Sequence, residues 1–435
     1  MTPRDSVVTF PEPPKGLTAV PDEPRRKGLR GVLVGGSIIM LASTTLVSII
    51  NFAYNVVMAR MLGPSRFGHA NASVTLLMLA SAVTLAFQLV CAKFVARNQS
   101  PGAKAGVYRS LLGKAWLVSL AMGGALFVAQ KPMASYLNLP DPWILAVLAI
   151  GIAVYVPLGV RRGAFQGLCS FGRLSASFIV EALTRLVTGV VLVAAGYGVM
   201  GAVGAISAAV LAAYALPRMA PQMRVKTEEG YPASFSEGIQ AIVFFVGQVI
   251  ICNTDIVLVK HFFSPEVAGL YAAVALVGRL LYFASWSVVS AMFPVSAAAK
   301  PQDEDPRVVF VPLMAVLAMS AAFILTLSLF PHLVIHTIFG VEFHQGEPLL
   351  ALYAAATGTY SLSVVLMAYE MSRRIANTGW LQLVFSGVLV LAIGTFHSTL
   401  REVIVVQIVL MATMLVLVSI PFLRRHHRAL AREAA

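Results

Sequence analysis

Twelve stretches of this chain are each long and apolar enough to cross a lipid bilayer, and this constrains its architecture more than any other feature. About 20 apolar residues in a helix cover the ~30 Å of hydrocarbon. The stretches lie at about 31–58, 67–92, 109–129, 142–160, 174–195, 198–217, 238–260, 267–298, 309–330, 346–371, 377–395 and 402–422. In hydrocarbon every backbone polar group needs an internal partner, so only helices and closed barrels span a membrane. The strict period-two alternation of barrel strands does not occur. The fold class is all-α and polytopic, in keeping with 58% hydrophobic and 12% charged residues. Several stretches exceed one span, which predicts tilted or projecting helices.

The basic residues give the orientation. With the N-terminus inside, the inner segments hold 24 of the 32 Lys and Arg. The outer segments hold Arg60, Arg66, Lys131, Lys260 and Arg401, while Lys114, Arg185 and Arg279 lie within helices. Basic residues resist translocation, so both termini are expected in the cytoplasm. Residues 1–30 are Pro-rich and polar and read as a disordered cytoplasmic tail. They carry no apolar stretch near residue 10 and so no cleavable signal peptide. The reading then divides the chain into a six-helix lobe at 31–217, a cytoplasmic linker at 218–236, a second six-helix lobe at 237–422 and a basic tail at 423–435. That tail, with Arg424, Arg425 and Arg428, suits anionic lipid headgroups.

A net charge of +13 invites a nucleic-acid partner, but no basic face interleaved with stacking aromatics occurs, and none is expected. No outer loop exceeds about 16 residues, which speaks against a membrane glycosyltransferase or polymerase. Gly113-Lys114 is followed by Ala115, so the phosphate-cradling G-x-x-x-x-G-K-[ST] pattern is missing. The chain is not expected to be an enzyme, to use ATP, or to need a cofactor or metal. Cys91, Cys169 and Cys252 lack metal-ligand spacing and read as small hydrophobes.

Two short patterns recur about 200 residues apart. Gly63-Pro64-Ser65-Arg66-Phe67-Gly68 is matched by Ser264-Pro265-Glu266-Val267-Ala268-Gly269, each with a Pro four residues before a Gly. Arg161-Arg162-Gly163-Ala164-Phe165-Gln166-Gly167 is matched by Arg373-Arg374-Ile375-Ala376-Asn377-Thr378-Gly379, both reading R-R-x-A-x-x-G. A duplicated membrane chain is a common blueprint of transporters, whose two lobes move around a site between them.

Ionisable groups inside membrane helices are costly and mark functional candidates. They are Lys114, Glu181, Arg185, Asp255, Arg279 and Glu370, joined by the uncharged Asn51, Tyr54, Asn55 and Gln88. Glu181 and Arg185 stand i, i+4 on one helical face, which suits either a local pair or a cavity role. Lys114 is placed to snorkel, and Glu370 to pair with Arg373 or Arg374. Arg279 lies too deep to snorkel. It either pairs with Asp255 or presents its donor fork to an anionic substrate, leaving Asp255 to carry a proton.

At these residues the chain resembles a known family. Asn55-Val56-Val57-Met58-Ala59-Arg60-Met61-Leu62-Gly63-Pro64-Ser65-Arg66-Phe67-Gly68 is similar to the signature after the first helix of polysaccharide-biosynthesis flippases. Asp255-Ile256-Val257-Leu258-Val259-Lys260 through Ala268-Gly269-Leu270-Tyr271 resembles their second signature. Met292-Phe293-Pro294 and Phe165-Gln166-Gly167 with Phe171-Gly172-Arg173 resemble two shorter ones. The resemblance covers roughly 31–420. Within the multidrug/oligosaccharidyl-lipid/polysaccharide superfamily, twelve helices point to the polysaccharide-repeat branch.

The resemblance implies a MATE-like pair of six-helix lobes around a cavity. It implies transfer of an undecaprenyl-pyrophosphate-linked oligosaccharide across the bacterial inner membrane, for exopolysaccharide, capsule or O-antigen assembly. The implied partners are that lipid-linked glycan, membrane lipids, and the glycosyltransferases and polymerase of the same pathway. Arg185, Arg279, Asn51, Asn55 and Lys114 are the substrate-binding candidates, and Asp255 and Glu181 those for ion coupling. Arg161 and Arg162 are candidates for headgroup capture at the inner rim. The alternatives are a drug or organic-cation antiporter of the same superfamily and a non-transporting scaffold of a glycan-assembly complex.

Overall fold

A computed structural model describes residues 23–223, 225–228, 230–235, 239–298, 307–373 and 378–433. Among these the ordered elements are all helices. The expected tail over 1–22 and Arg374–Asn377 of the second R-R-x-A-x-x-G copy lie outside the described residues. The first helix starts at Glu23, inside the segment expected to be disordered.

Among the described residues ten helical stretches are long and apolar enough to span, and two of them are double. Ile39–Arg97 counts 59 residues, ~88 Å at 1.5 Å per residue, about three bilayer cores long. It folds back at Gly63, whose φ of 69° and ψ of 173° break the helix. Only glycine takes such a backbone without strain, and Pro64 then opens the next helix, where its missing N–H costs nothing. Phe171–Ala215 breaks in the same way at Gly196 and Gly198, both at positive φ. Twelve crossings result: α1 (39–62), α2 (64–97), α3 (Pro101–Val128), α4 (Trp143–Gly167), α5 (Phe171–Leu192) and α6 (Gly198–Ala215), then α7 (Ile239–Phe262), α8 (Pro265–Ala298), α9 (Arg307–Leu329), α10 (Leu350–Arg373), α11 (Leu381–Thr395) and α12 (Leu400–Glu433). An even number puts the start of α1 and the end of α12 on one face of the helix stack, here the terminal face, and the α1–α2 and α7–α8 turns on the far face. This is a multi-pass membrane protein.

Each lobe adds a short far-face helix after its third span, Gln130–Tyr136 in the first lobe and Pro331–Ile338 in the second. The hydrophobic core is shared unequally. One cluster runs through both lobes on the far side, joining Met58, Phe67, Leu148 and Ile206 to Leu270, Tyr271, Phe339 and Phe343. Towards the terminal face the core splits. One cluster, around Phe94, Leu111 and Val160, belongs to the first lobe, and another, around Val289, Val316 and Tyr369, belongs to the second. The lobes therefore share one core on the far side, while on the terminal side each has its own cluster and Ile242 of α7 packs against that of the first lobe. The connection between them packs on the first lobe, where Arg109 donates to Val225 O at 2.9 Å and Phe235 meets Phe87 edge-on.

Candidate functional site

In the second lobe α7 is broken in mid-span. It runs Ile239–Ile251, turns at Cys252 and Asn253, and resumes as Thr254–Phe262. Side chains repair part of the interrupted ladder: Asn253 Nδ2 donates to Val249 O at 2.7 Å, and Thr254 Oγ1 to Ile250 O at 2.7 Å. The carbonyl of Cys252 instead accepts from Arg279 Nη2 on α8. Non-helical backbone at this depth persists only where protein or a polar cavity satisfies it, and transporters build their sites at such breaks.

Asp255 occupies the first turn of the resumed helix, where the helix dipole favours a negative charge. Its Oδ2 accepts from Tyr271 at 2.8 Å and Tyr353 at 2.9 Å, and Arg279 Nη2 lies 3.9 Å from Oδ1. Gln407 Nε2 donates to Tyr271 Oη at 2.7 Å, which extends the network to α12. Gly278 makes the arrangement possible, because any Cβ there would collide with the Tyr353 ring. Asp255 and Arg279 thus come together as a loose pair, and Arg279 is held chiefly by the freed carbonyl. Asp255 is 3% exposed, whereas the Arg279 side chain keeps 22%. Both line a cavity of about 260 Å³ with Gln248, Asn253, Tyr282, Phe283, Thr357 and Tyr360.

The first lobe holds a second cluster. Arg162 on α4 donates Nη2 to Glu181 Oε2 at 2.6 Å and Nε to Ser177 at 3.0 Å. Arg185, one turn beyond Glu181 on α5, donates to its other oxygen at 2.5 Å and to Asn51 Oδ1 on α1 at 3.2 Å. Glu181 therefore bridges two guanidinium groups, and the buried cluster carries one net positive charge.

The two arginines expected at the rim both have partners within the first lobe. Arg162, expected at the inner rim, is buried at 4% exposure because Glu181 and Ser177 draw it into the lobe. Arg161 donates both terminal nitrogens to the carbonyls of Tyr214 and Pro217 and lies over the Tyr214 ring, so it fastens the end of α6. Asn55 turns back to Asn51 O on its own helix. Lys114 is exposed on α3 and joins no ion pair among the described residues. Glu370 is fully buried and accepts from Thr378 at 2.6 Å.

Tyr353, Gln407 and Gln248 escaped the sequence reading. The signal that would have found them is a glutamine or tyrosine inside an apolar run, on the face shared with the ionisable residues.

The sequence model of a family described as polysaccharide biosynthesis protein matches residues 33–300. No curated protein matches the chain by sequence. Among solved structures, an inward-facing multidrug resistance MATE family transporter of the MOP superfamily superposes with a TM-score of 0.69 at 13% identity, over 92% of this chain and 99% of that one. The lipid II flippase MurJ in an inward closed conformation gives 0.67 at 10% identity, over 88% and 87%. A MOP superfamily transporter from Pyrococcus furiosus gives 0.62 at 14% identity, over 91% and 95%. At these identities the likeness establishes the two-lobed fold.

Proposed function

The chain belongs to the family of polysaccharide biosynthesis proteins, and from that premise we propose that it is a flippase for an undecaprenyl-pyrophosphate-linked oligosaccharide. It works in the bacterial inner membrane with both termini in the cytoplasm, so that the terminal face is the inner one. The observation that carries this reading is the broken α7, where Arg279 presents a partly exposed guanidinium to a mid-span cavity.

A pyrophosphate cannot cross hydrocarbon alone, because burying an unpaired charge is prohibitive. A guanidinium replaces lost water with a fork of donors matched to phosphate oxygens. The core shared by both lobes on the far side supports a state closed towards the outer face. In the proposed cycle the headgroup enters from the inner leaflet, its lipid tail staying in the bilayer between the lobes. The lobes then rock, with populations shifted by the headgroup's different affinity for the two states. Asp255 takes up the coupling H⁺ or Na⁺, since it is the carboxylate beside Arg279. Glu181, locked between two arginines, serves the architecture of the first lobe.

Mass spectrometry of lipid extracts tests the reading, comparing cells that lack the protein with cells carrying wild type or Arg279→Ala. The expected result is an undecaprenyl-pyrophosphate oligosaccharide that accumulates without the protein, is cleared by wild type and persists with the variant. No accumulation, together with altered sensitivity to cationic dyes, would replace this reading with a cation antiporter. Clearance by a well-expressed Arg279→Ala would remove Arg279 from the mechanism.

A further inference from the structure

Resting on the flippase reading, we infer that the face of α8 carrying Arg279, Tyr282, Phe283 and Trp286 is a sugar platform. Arg279 holds the diphosphate, and the rings beyond it stack on the first pyranose of the glycan. The spacing i, i+3, i+4, i+7 puts the four side chains on one helical stripe. At 1.5 Å per residue the stripe runs ~10 Å from the guanidinium towards the terminal face.

The rings form a connected row. Tyr282 lies nearly parallel to Trp286, with centroids 6.5 Å apart and 28° between planes, and nearly parallel to Tyr360 at 5.9 Å and 29°. Phe245 of α7 meets Trp286 edge-on at 6.0 Å. Tyr282 and Trp286 are half-buried, and Phe283 is 53% exposed while lining the cavity with Tyr282.

A pyranose offers an apolar face of C–H groups, which suits an aromatic ring, and a rim of hydroxyls, which needs donors and acceptors. Gln248, Asn253, Thr357 and Gln407 line the same cavity and supply them. Gln248 is buried beside the Tyr360 hydroxyl in the wall of this cavity, with its amide on the side of the ring row. Stacking aromatics also suit organic cations; Asp255 balances the charge of Arg279 in the same cavity, so the preference for a phosphate rests on the guanidinium's fork of donors. The cavity of about 260 Å³ falls below the ~300–1,000 Å³ of pockets for drug-sized ligands.

The test uses the full chain in nanodiscs and two short-chain polyprenyl diphosphates, one bearing a single hexose and one bare, with binding followed by thermophoresis. Wild type is expected to bind the glycosylated lipid about tenfold more tightly, a 1.4 kcal/mol preference. Tyr282→Leu with Trp286→Leu should bring the glycosylated lipid down to the affinity of the bare one, with an unchanged thermal melt certifying the fold. Tyr282→Phe with Trp286→Phe should restore the preference, and Arg279→Gln should weaken both lipids alike. A preference that survives in the double Leu variant, or one the double Phe variant fails to restore, would overturn the platform. If wild type binds both lipids equally, the platform falls and the flippase reading stands; if it binds neither, both fall.

Discussion

Gly68 and Gly269, one in each lobe, cross in van der Waals contact on the far face. A Cβ on Gly68 would sit 2.5 Å from Pro265 O and 2.9 Å from Gly269 N, and one on Gly269 would run into Pro64 O. The repeated Pro-x-x-x-Gly patterns thus pack against each other reciprocally, each Gly under the other's Pro, as two-fold related surfaces do. Gly269→Val is expected to prop this seam open. Spin labels on Lys131 and His332, in a chain freed of its native cysteines, should report a longer and broader distance than in wild type. An unchanged distance would mean that the crossing tolerates a side chain.

A matching pair of contacts flanks the crossing. Arg60, at the end of α1, donates to the carbonyls of Thr337 and Ile338, where the second lobe's short helix ends. His261, at the end of α7, donates Nδ1 to Tyr136 O at 2.7 Å, where the first lobe's short helix ends, and stacks on the Tyr136 ring. Terminal carbonyls lack helix partners and favour such donors. Arg60→Ala and His261→Ala should each lower the far-side-closed population about threefold, near the ~0.5–1.5 kcal/mol of one net hydrogen bond. Their effects should add, since the contacts share no partner. Strong non-additivity in the same spin-label experiment would contradict two independent latches.

The first-lobe cluster separates architecture from coupling. Glu181→Gln leaves Arg162 and Arg185 buried with no carboxylate, a loss of about 3–5 kcal/mol for a broken buried pair. Arg185→Gln leaves one cation on one carboxylate and should cost clearly less. Thermal melts in detergent should rank wild type above Arg185→Gln above Glu181→Gln. A Glu181→Gln protein that melts like wild type but fails to clear lipid would return Glu181 to the coupling role.

Asp255→Asn should behave differently. The amide oxygen still accepts from Tyr271 and Tyr353, so the fold persists while the charge is lost. Lipid clearance measured at several external pH values should fall and lose its dependence on the proton gradient. Retained, gradient-dependent clearance would exclude Asp255 as the coupling group.

The twelve helices were legible because the hydrocarbon thickness turns length and apolarity into topology, and the folds at Gly63 and Gly198 fall close to the boundaries the apolar runs suggest. That Asp255 stands near Arg279 and Glu181 near Arg185 was one of two alternatives open in each case, because isolated charges do not persist in hydrocarbon while a cavity role suits the same residues. Arg162 was not legible. Its position at the end of an apolar run, next to Arg161, suits the inner rim, and only tertiary packing brings Ser177 and Glu181 within its reach. Nor did the repeats announce that they meet, because a shared sequence pattern fixes a local turn and says nothing of what packs on it. Tyr353 and Gln407 were hidden because a neutral polar side chain barely dents an apolar run.

Lys260 completes the far-side seam and acts against it. It is 1% exposed, and its Nζ has one hydrogen-bond acceptor, Asn138 O, at 3.5 Å. No carboxylate pairs with it among the described residues, and a buried cation without a counter-charge is costly. Opening the far side would return water to it, so removing the charge is expected to favour the seam that the Arg60 and His261 contacts hold closed. Lys260→Met keeps the length and apolar stem and removes the charge. The far-side-closed population should then rise and lipid clearance should fall, because the outward step loses its drive. Spin labels on Lys131 and His332 would show a narrower short-distance peak. If instead the distance lengthens, the Asn138 contact is a latch, and the drive for opening lies elsewhere.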